Sequence, residues 1–366
     1  MSGGGFVGAQ EPLVDIRFYD NIPEFVDGAL ESLYECHMTT LLRFGQHYPL
    51  EGARTYVCQV DGVLRSVFVF KLDGHSVLLY NEQISIPSDE LSRFIYAVFA
   101  AYPTVRRISL YAVDTPGRSL PYACLRMICL EDISLELPNS LTAYGEMLGK
   151  NMSYHIKRYR KKLDACYTDV RRECLRGGDV PIGTVRAITE FSRMRMTAKG
   201  QRCYHTDEET ERTSALVCRY GLVYTFTING ELAAGVIVLR IGATDTLLVV
   251  AHHPQYDRYS LGTLCCYEAI ANAIAQGARR FNFGWGRFEY KSRLAGRMTD
   301  LYRLDIFRSR VALLRDTPLV CQRAWSTGRR RFKLWNASPA DEGSVLTRTL
   351  KRMWGAARML RNRMRA

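Results

Sequence analysis

Glu289, Tyr290 and Lys291 stand in a row near the end of the stretch RFNFGWGRFEYKSRLAG (280–296), just after Gly284, Trp285 and Gly286. Read as extended chain, Glu289 and Lys291 share one face and Tyr290 takes the other. An ammonium and a carboxylate side by side suit group transfer. The lysine holds an anionic substrate group or a developing oxyanion, and the carboxylate accepts a proton. The plain alternative is an exposed ion pair, worth under about 1 kcal/mol. Two more proton-transfer candidates, His252 and His253, end the apolar run TLLVVAHHP (246–254). Strand alternation puts only one of them on a given face, and a histidine titrates near neutral pH. The alternative for each is a solvated strand end before Pro254.

A few residues on, Arg258-Tyr259-Ser260-Leu261-Gly262-Thr263 opens a helical pattern, TLCCYEAIANAIAQG (263–277). A strand, a glycine-bearing loop and a helix N-terminus together make an anion site: free N–H groups and the positive end of the helix dipole face the ligand. The same residues also read as a simple helix start, with Ser260 as cap. Arg195 and Lys199, four apart in a helical pattern, share a face and could meet an acidic substrate as readily as solvent. Glu268 lies within its helix and reads as structural.

These groups need a scaffold, and the chain writes one twice. TYVCQVDGVLRSVFVFKLDGHSVLLY (55–80) and VYTFTINGELAAGVIVLRIGATDTLLVV (223–250) share an order: strand, Asp-Gly or Asn-Gly turn, longer strand, second turn, third strand. Both turn dipeptides favour a tight hairpin. A helical pattern precedes each meander (23–42 and 183–200), and a helix followed by a strand comes after each. A period this long excludes a solenoid and predicts two copies of one mixed α/β domain. The first copy has no glycine between its third strand and next helix, so it is expected to be degenerate, a scaffold or acceptor groove. The basic pattern GKNMSYHIKRYRKKLDACY (149–167) reads as a connector or clamp.

Composition sets outer limits. Of 366 residues, 47% are apolar, enough for real cores, and no run is long enough to cross a membrane. No secretory leader is visible at the start. The eleven cysteines are scattered, odd in number and without zinc spacing. They predict reduced cytosolic thiols and no metal site. The net charge of +13 is concentrated late: from Arg308 onward there are 15 Arg or Lys against 3 acids. Residues 344–366 alternate apolar and basic positions at helical spacing, with Trp354 in the apolar stripe. That pattern reads as a helix docking on an anionic membrane surface, or as one packed on its own domain. Nucleic acid is the lesser reading, because an apolar stripe has no use on a phosphate backbone.

The stretch YSLGTLCCYEAIANAIAQGARRFNFGWGRFEYKSRLAG (259–296) resembles the GNAT acyltransferases. More narrowly it is similar to the tandem-GNAT group of FemAB peptidoglycan aminoacyltransferases and CelD-type acetyltransferases of cellulose biosynthesis. The shared marks are Gly262, Gly277, FNFG at 281–284, Tyr290-Lys291 and Gly296. The close likeness spans about residues 145–310. The phosphate loop departs from the family's Gln/Arg-x-x-Gly-x-Gly/Ala by carrying one glycine at a different spacing. The resemblance implies acetyl-CoA or another acyl-CoA as co-substrate, with its diphosphate on Arg258, Tyr259, Ser260, Leu261, Gly262 and Thr263 and its thiol arm beside LLVVAHH. The match at Tyr290-Lys291 favours a functional Lys291, which joins His252, His253 and Glu289, read from their residue types, as catalytic candidates; Arg195, Lys199, Tyr290 and Trp285 are the acceptor-binding ones. The expected organisation is a degenerate GNAT-like domain (1–140), a GNAT-like acyltransferase domain (141–315) and a basic amphipathic tail (316–366). The expected activity is acyl transfer to an amine or hydroxyl of a sugar or exopolysaccharide-type acceptor, in the cytoplasm or on the inner membrane face. Aminoacyl transfer from aminoacyl-tRNA and a catalytically silent module in a membrane biosynthetic complex are the alternatives.

Overall fold

The computed structural model describes residues 12–116, 120–201 and 203–337; the basic stripe expected at 344–366 lies outside them. The two hairpin turns form where the dipeptides required them. Asp61 and Gly62 take φ of 52° and 75°, Asn229 and Gly230 φ of 53° and 83°, the positive values a tight two-residue hairpin needs.

The first half runs β1 (Val14–Tyr19), α1 (Val26–Tyr34), α2 (Leu41–His47), β2 (Ala53–Val60), β3 (Val63–Asp73), β4 (Ser76–Leu79), α3 (Ser88–Ala101), β5 (Arg107–Val113) and β6 (Ala123–Glu136). Helices α4 (Leu141–Met147) and α5 (Gly149–Cys166) lead into the second half. That half repeats the order: β7 (Val170–Arg176), α6 (Ile182–Ala198), α7 (Asp207–Tyr220), β8 (Gly221–Ile228), β9 (Glu231–Ile241), β10 (Thr244–His252), α8 (Leu261–Ala275), β11 (Arg280–Asn282) and, after a short α9 (Glu289–Arg293), β12 (Arg297–Phe307). Helices α10 (Arg310–Arg315) and α11 (Thr317–Ala337) fall in a separate compact unit that begins at Ser309.

Both halves share one 12-stranded mixed sheet, in the order β1-β2-β3-β4-β5-β12-β6-β11-β10-β9-β8-β7. Each half gives its last strand to the other. β12 pairs with β5 through Ile306 and Ile108, while β6 pairs with β11 through Leu135 and Phe281. The two exchanged strands lie antiparallel at the centre, from Arg297 opposite Ser134 to Phe307 opposite Ala123. The cores follow the exchange. Leu304 and Ile306 are buried with Phe94, Val98 and Ile108 of the first half; Ile133 and Leu135 are buried with Ile270, Ala273 and Phe281 of the second. Arg219 bridges to Asp27 and Glu31, and Arg279 to Glu35, which ties the helical faces of the halves together.

Sequence periodicity did not reveal the outer strands β1 and β7 or the traded strands β6 and β12. β1 and β7 are half-exposed edges carrying charges such as Arg17 and Arg172, a common defence of a sheet edge, so their alternation is faint.

The exchange makes each half incomplete alone. Ile306→Ala, which opens a cavity in the first-half core, is expected to lower the stability of the 1–308 body by about 2–5 kcal/mol. Residues 1–140 expressed alone should show no cooperative unfolding, and co-expression with 141–366 should restore it; a folded 1–140 fragment by circular dichroism and chemical denaturation would contradict this account.

Candidate functional site

In each half a parallel strand pair, β4 with β5 or β10 with β11, begins side by side, and the two pairs then diverge in fate. In the first half the gap beyond β4 is closed by the chain itself. Gln83 N donates to Ala112 O, Asp114 N to Ile84 O and Ile86 N to Asp114 O, each at 2.8 Å. On the other side the Asn81 side chain ties the same segment to β3, accepting from Val69 N and donating to Val67 O. In the second half β10 and β11 pair only from Thr244–Thr246 to Arg280–Asn282. Beyond that, no backbone hydrogen bond joins 247–252 to 283–288 among the described residues. The strands part, and the edge of β10 from Leu247 to His252 makes no backbone hydrogen bond to that side among the described residues.

The residues of the opening stretch hold the parting in place. The chain leaves β11 through Gly284 (φ 67°) and Gly286 (φ 96°), a conformation that side chains resist. Asn282 Oδ1 accepts from Gly284 N at 2.6 Å. Lys291 then reaches back to donate to Gly284 O at 3.0 Å and Trp285 O at 2.7 Å. Residues 289–293 are helical, not extended as expected, because the Lys291 N–H closes a turn on Phe288 O and Leu294 N one on Tyr290 O. The helix separates what an extended chain would have aligned. Lys291 is 2% exposed, Tyr290 packs against the second-half core, and Glu289 points outward to Arg293 at 2.6 Å. Burial lowers the Lys291 ammonium to about 8, with Asp132 and Cys266 opposing the shift.

Asp132 was not singled out by sequence, for it lies in a strand the periodicity missed. It belongs to the first half but is carried by β6 to the parting of the second. Its Oδ2 accepts from Asn282 Nδ2 at 2.9 Å; its Oδ1 is buried with no partner among the described residues. Burial raises this carboxyl above the usual range, while the Asn282 hydrogen bond and the Lys291 charge pull the other way.

The two histidines divide between faces as alternation required. His252 Nε2 lies 2.8 Å from Asp257 Oδ1, and its Nδ1 is buried without a partner. His253 turns the other way, edge-on to Phe191 at 5.4 Å, and accepts from Gln255 N. At the helix start, Ser260 adopts a left-handed conformation (φ 55°) and its side chain makes no capping bond, which sets aside the reading of Ser260 as a cap. Thr263 N and Leu264 N return to Ser260 O, while Leu261 N and Gly262 N have no backbone acceptor among the described residues. Packing does not demand glycine at 262. A Cβ there would meet His252 Nδ1 at 3.5 Å and Val250 at 3.6 Å, ordinary contacts. The loop side chains differ from a uniform cradle. Tyr259 and Leu261 are fully buried and offer only backbone, whereas Arg258 lies over the Tyr259 ring. A cation that sequence left inside the general description of a clamp joins them: Lys162 of α5 donates to Arg258 O at 3.0 Å. Arg160, from the same helix, pairs with Glu268 at 2.6 Å, which gives that glutamate its structural role.

The acceptor candidates also separate. Arg195 is half-buried, and its charge is near enough to favour ionisation of Tyr290 and of Cys266, whose thiol burial pushes up to about 12. Lys199, at the end of α6, is exposed. Trp285 (53% exposed) meets Tyr204 (63% exposed) edge to face at 5.9 Å. All eleven cysteines are free thiols, and no metal-binding cluster occurs among the described residues. No described helix is long and apolar enough to cross a membrane.

The buried lysine has a measurable signature. Between pH 8 and 10.5 the unfolded chain keeps a proton that folded Lys291 has lost, so this group raises stability as pH climbs through that window. Relative to Lys291→Met, the wild-type chain is expected to gain up to about 3 kcal/mol between those pH values, read from denaturant midpoints at each pH. A pH-independent difference would mean that the ammonium is not desolvated.

Residues 150–292 match the family model described as acetyltransferase (GNAT) domain. No curated protein matches the chain. Among solved structures, FemX is 9% identical, with a TM-score of 0.57 over 80% of this chain and 98% of that one. L-PGS from Bacillus licheniformis is 10% identical with a TM-score of 0.47, covering 84% and 96%. A tandem GNAT protein from the clavulanic acid biosynthesis pathway is 10% identical with a TM-score of 0.40, covering 80% and 98%. Residues 150–292 thus match the GNAT acetyltransferase domain, set in a mixed α/β sheet whose fold FemX shares.

Proposed function

We propose that this chain moves an acyl group, acetyl foremost, from acyl-CoA to an amine or hydroxyl of a sugar or exopolysaccharide-type acceptor, as CelD-type relatives would. The observation that carries this reading is the unsealed parting of β10 and β11 beside an uncapped helix start, where the first half has closed the same gap. A thioester arm laid in the parting can bond to the free edge of β10, and its diphosphate can take the amides of Leu261 and Gly262. Lys162 and Arg258 supply positive charge at that end. The exposed Trp285–Tyr204 pair offers a surface for the apolar face of a sugar ring.

Among the expected catalytic groups, Lys291 is assigned to positioning: its ammonium holds two carbonyls of the loop that keeps the parting open. His252 is engaged by Asp257 on one nitrogen and enclosed on the other, and Glu289 is bound to Arg293. Asp132 is the better proton acceptor. Its free oxygen lies beside the point where the strands part, and a carboxylate destabilised by burial is a stronger base. The amine would give its proton to Asp132 as it attacks the thioester carbon, and the CoA thiolate would leave.

A second reading, aminoacyl transfer as in the FemAB group, is favoured by the fold shared with FemX. Thermal unfolding with acetyl-CoA separates the two. At about 100 times its dissociation constant the ligand should add about 2.7 kcal/mol of stability, and Gly262→Asp, a charge at the anion site, should remove the gain. No shift with any acyl-CoA, together with protection by aminoacyl-tRNA, would favour the second reading. In whichever transfer assay succeeds, Asp132→Asn is expected to lower kcat by about 10²–10⁴-fold with little change in KM; unchanged kcat would return the proton to the histidines.

A further inference from the structure

We infer that the helical unit after the sheet, α10 and α11, is an interaction surface for an anionic lipid bilayer. Helix α11 contains Arg323, Arg329, Arg330, Arg331 and Lys333 and not one acid; Asp316 is the sole acidic residue of 309–337. Among these cations stand large apolar side chains turned to solvent. Val311 and Leu314, three apart on α10, are 58% and 70% exposed; Trp325 and Phe332, seven apart on α11, are 71% and 49% exposed. A spacing of three or seven keeps side chains on one helix face.

This combination chooses its occupant. A phosphate backbone would use the arginines but has no place for exposed valine and leucine on one helix and exposed tryptophan and phenylalanine on the next. A second copy would bring the same positive charge against itself. A bilayer with anionic headgroups satisfies both features. The cations gain from the surface potential, and tryptophan settles at the boundary between headgroups and acyl chains. The inference is independent of the transfer chemistry.

Sedimentation of the full chain with vesicles tests it. With vesicles of phosphatidylcholine and phosphatidylglycerol the protein is expected to pellet, and with phosphatidylcholine alone to stay in solution. Two double variants, each checked for an unchanged unfolding midpoint, probe the two contributions. Arg315→Gln with Arg329→Gln should weaken binding by roughly tenfold or more and flatten its salt dependence. Leu314→Ser with Trp325→Ser should weaken binding while leaving the salt dependence in place. Failure of the wild-type chain to pellet with anionic vesicles overturns the proposal. So does wild-type binding in both double variants, as does a dimer in solution that the Leu314 and Trp325 changes dissolve. Loss of tRNA binding in the arginine variant of a chain that ignores vesicles overturns it in favour of nucleic acid.

Discussion

The separation of β10 from β11 is the constraint to which the rest of this site answers. Strands placed in register tend to stay paired, because each backbone group left without a partner away from water costs free energy. The second half keeps the pair apart by giving the departing chain other partners. Asn282 receives the Gly284 N–H, and one buried ammonium takes the carbonyls of Gly284 and Trp285. That ammonium is costly to bury, and Asp132 sits near enough to favour its charge. Glycine at 284 and 286, lysine at 291 and asparagine at 282 are one device distributed over ten residues.

The first half shows the same scaffold without the device. There β5 runs on to Val113, and the residues after β4 close against it through Gln83, Ile84 and Ile86. What remains useful of that half is its contribution to the centre of the sheet. By lending β6, it lines the second half's parting with Asp132 and fills the second core with Ile133 and Leu135. A copy that closed its own strand gap therefore still contributes to the other copy's candidate site.

Much of this was legible in the sequence, and the misses have physical causes. Asp61-Gly62 and Asn229-Gly230 announced the two meanders because a tight hairpin needs positive φ at both residues. The helix at 289–293 was not foreseen, since five residues carry too little periodicity to separate a helical turn from extended chain. Asp132 escaped because the pairing that gives it meaning joins residues 150 apart in the chain, which local patterns do not encode. The burial of Lys291 was hidden for a related reason: a lysine beside a glutamate reads as a surface pair until the fold shows the two pointing apart.

The exchange of β6 and β12 also bears on how the molecule is made. Residues 297–307 are among the last of the sheet to leave the ribosome, yet β5 of the first half has no neighbour on that side until they arrive. During synthesis an unfinished sheet with an open edge must wait for nearly the whole chain, the state most exposed to wrong pairing with another nascent copy. Closing a contact across about 200 residues is intrinsically slow, so production of this protein should reward slowed translation and chaperone capacity more than any single stabilising substitution.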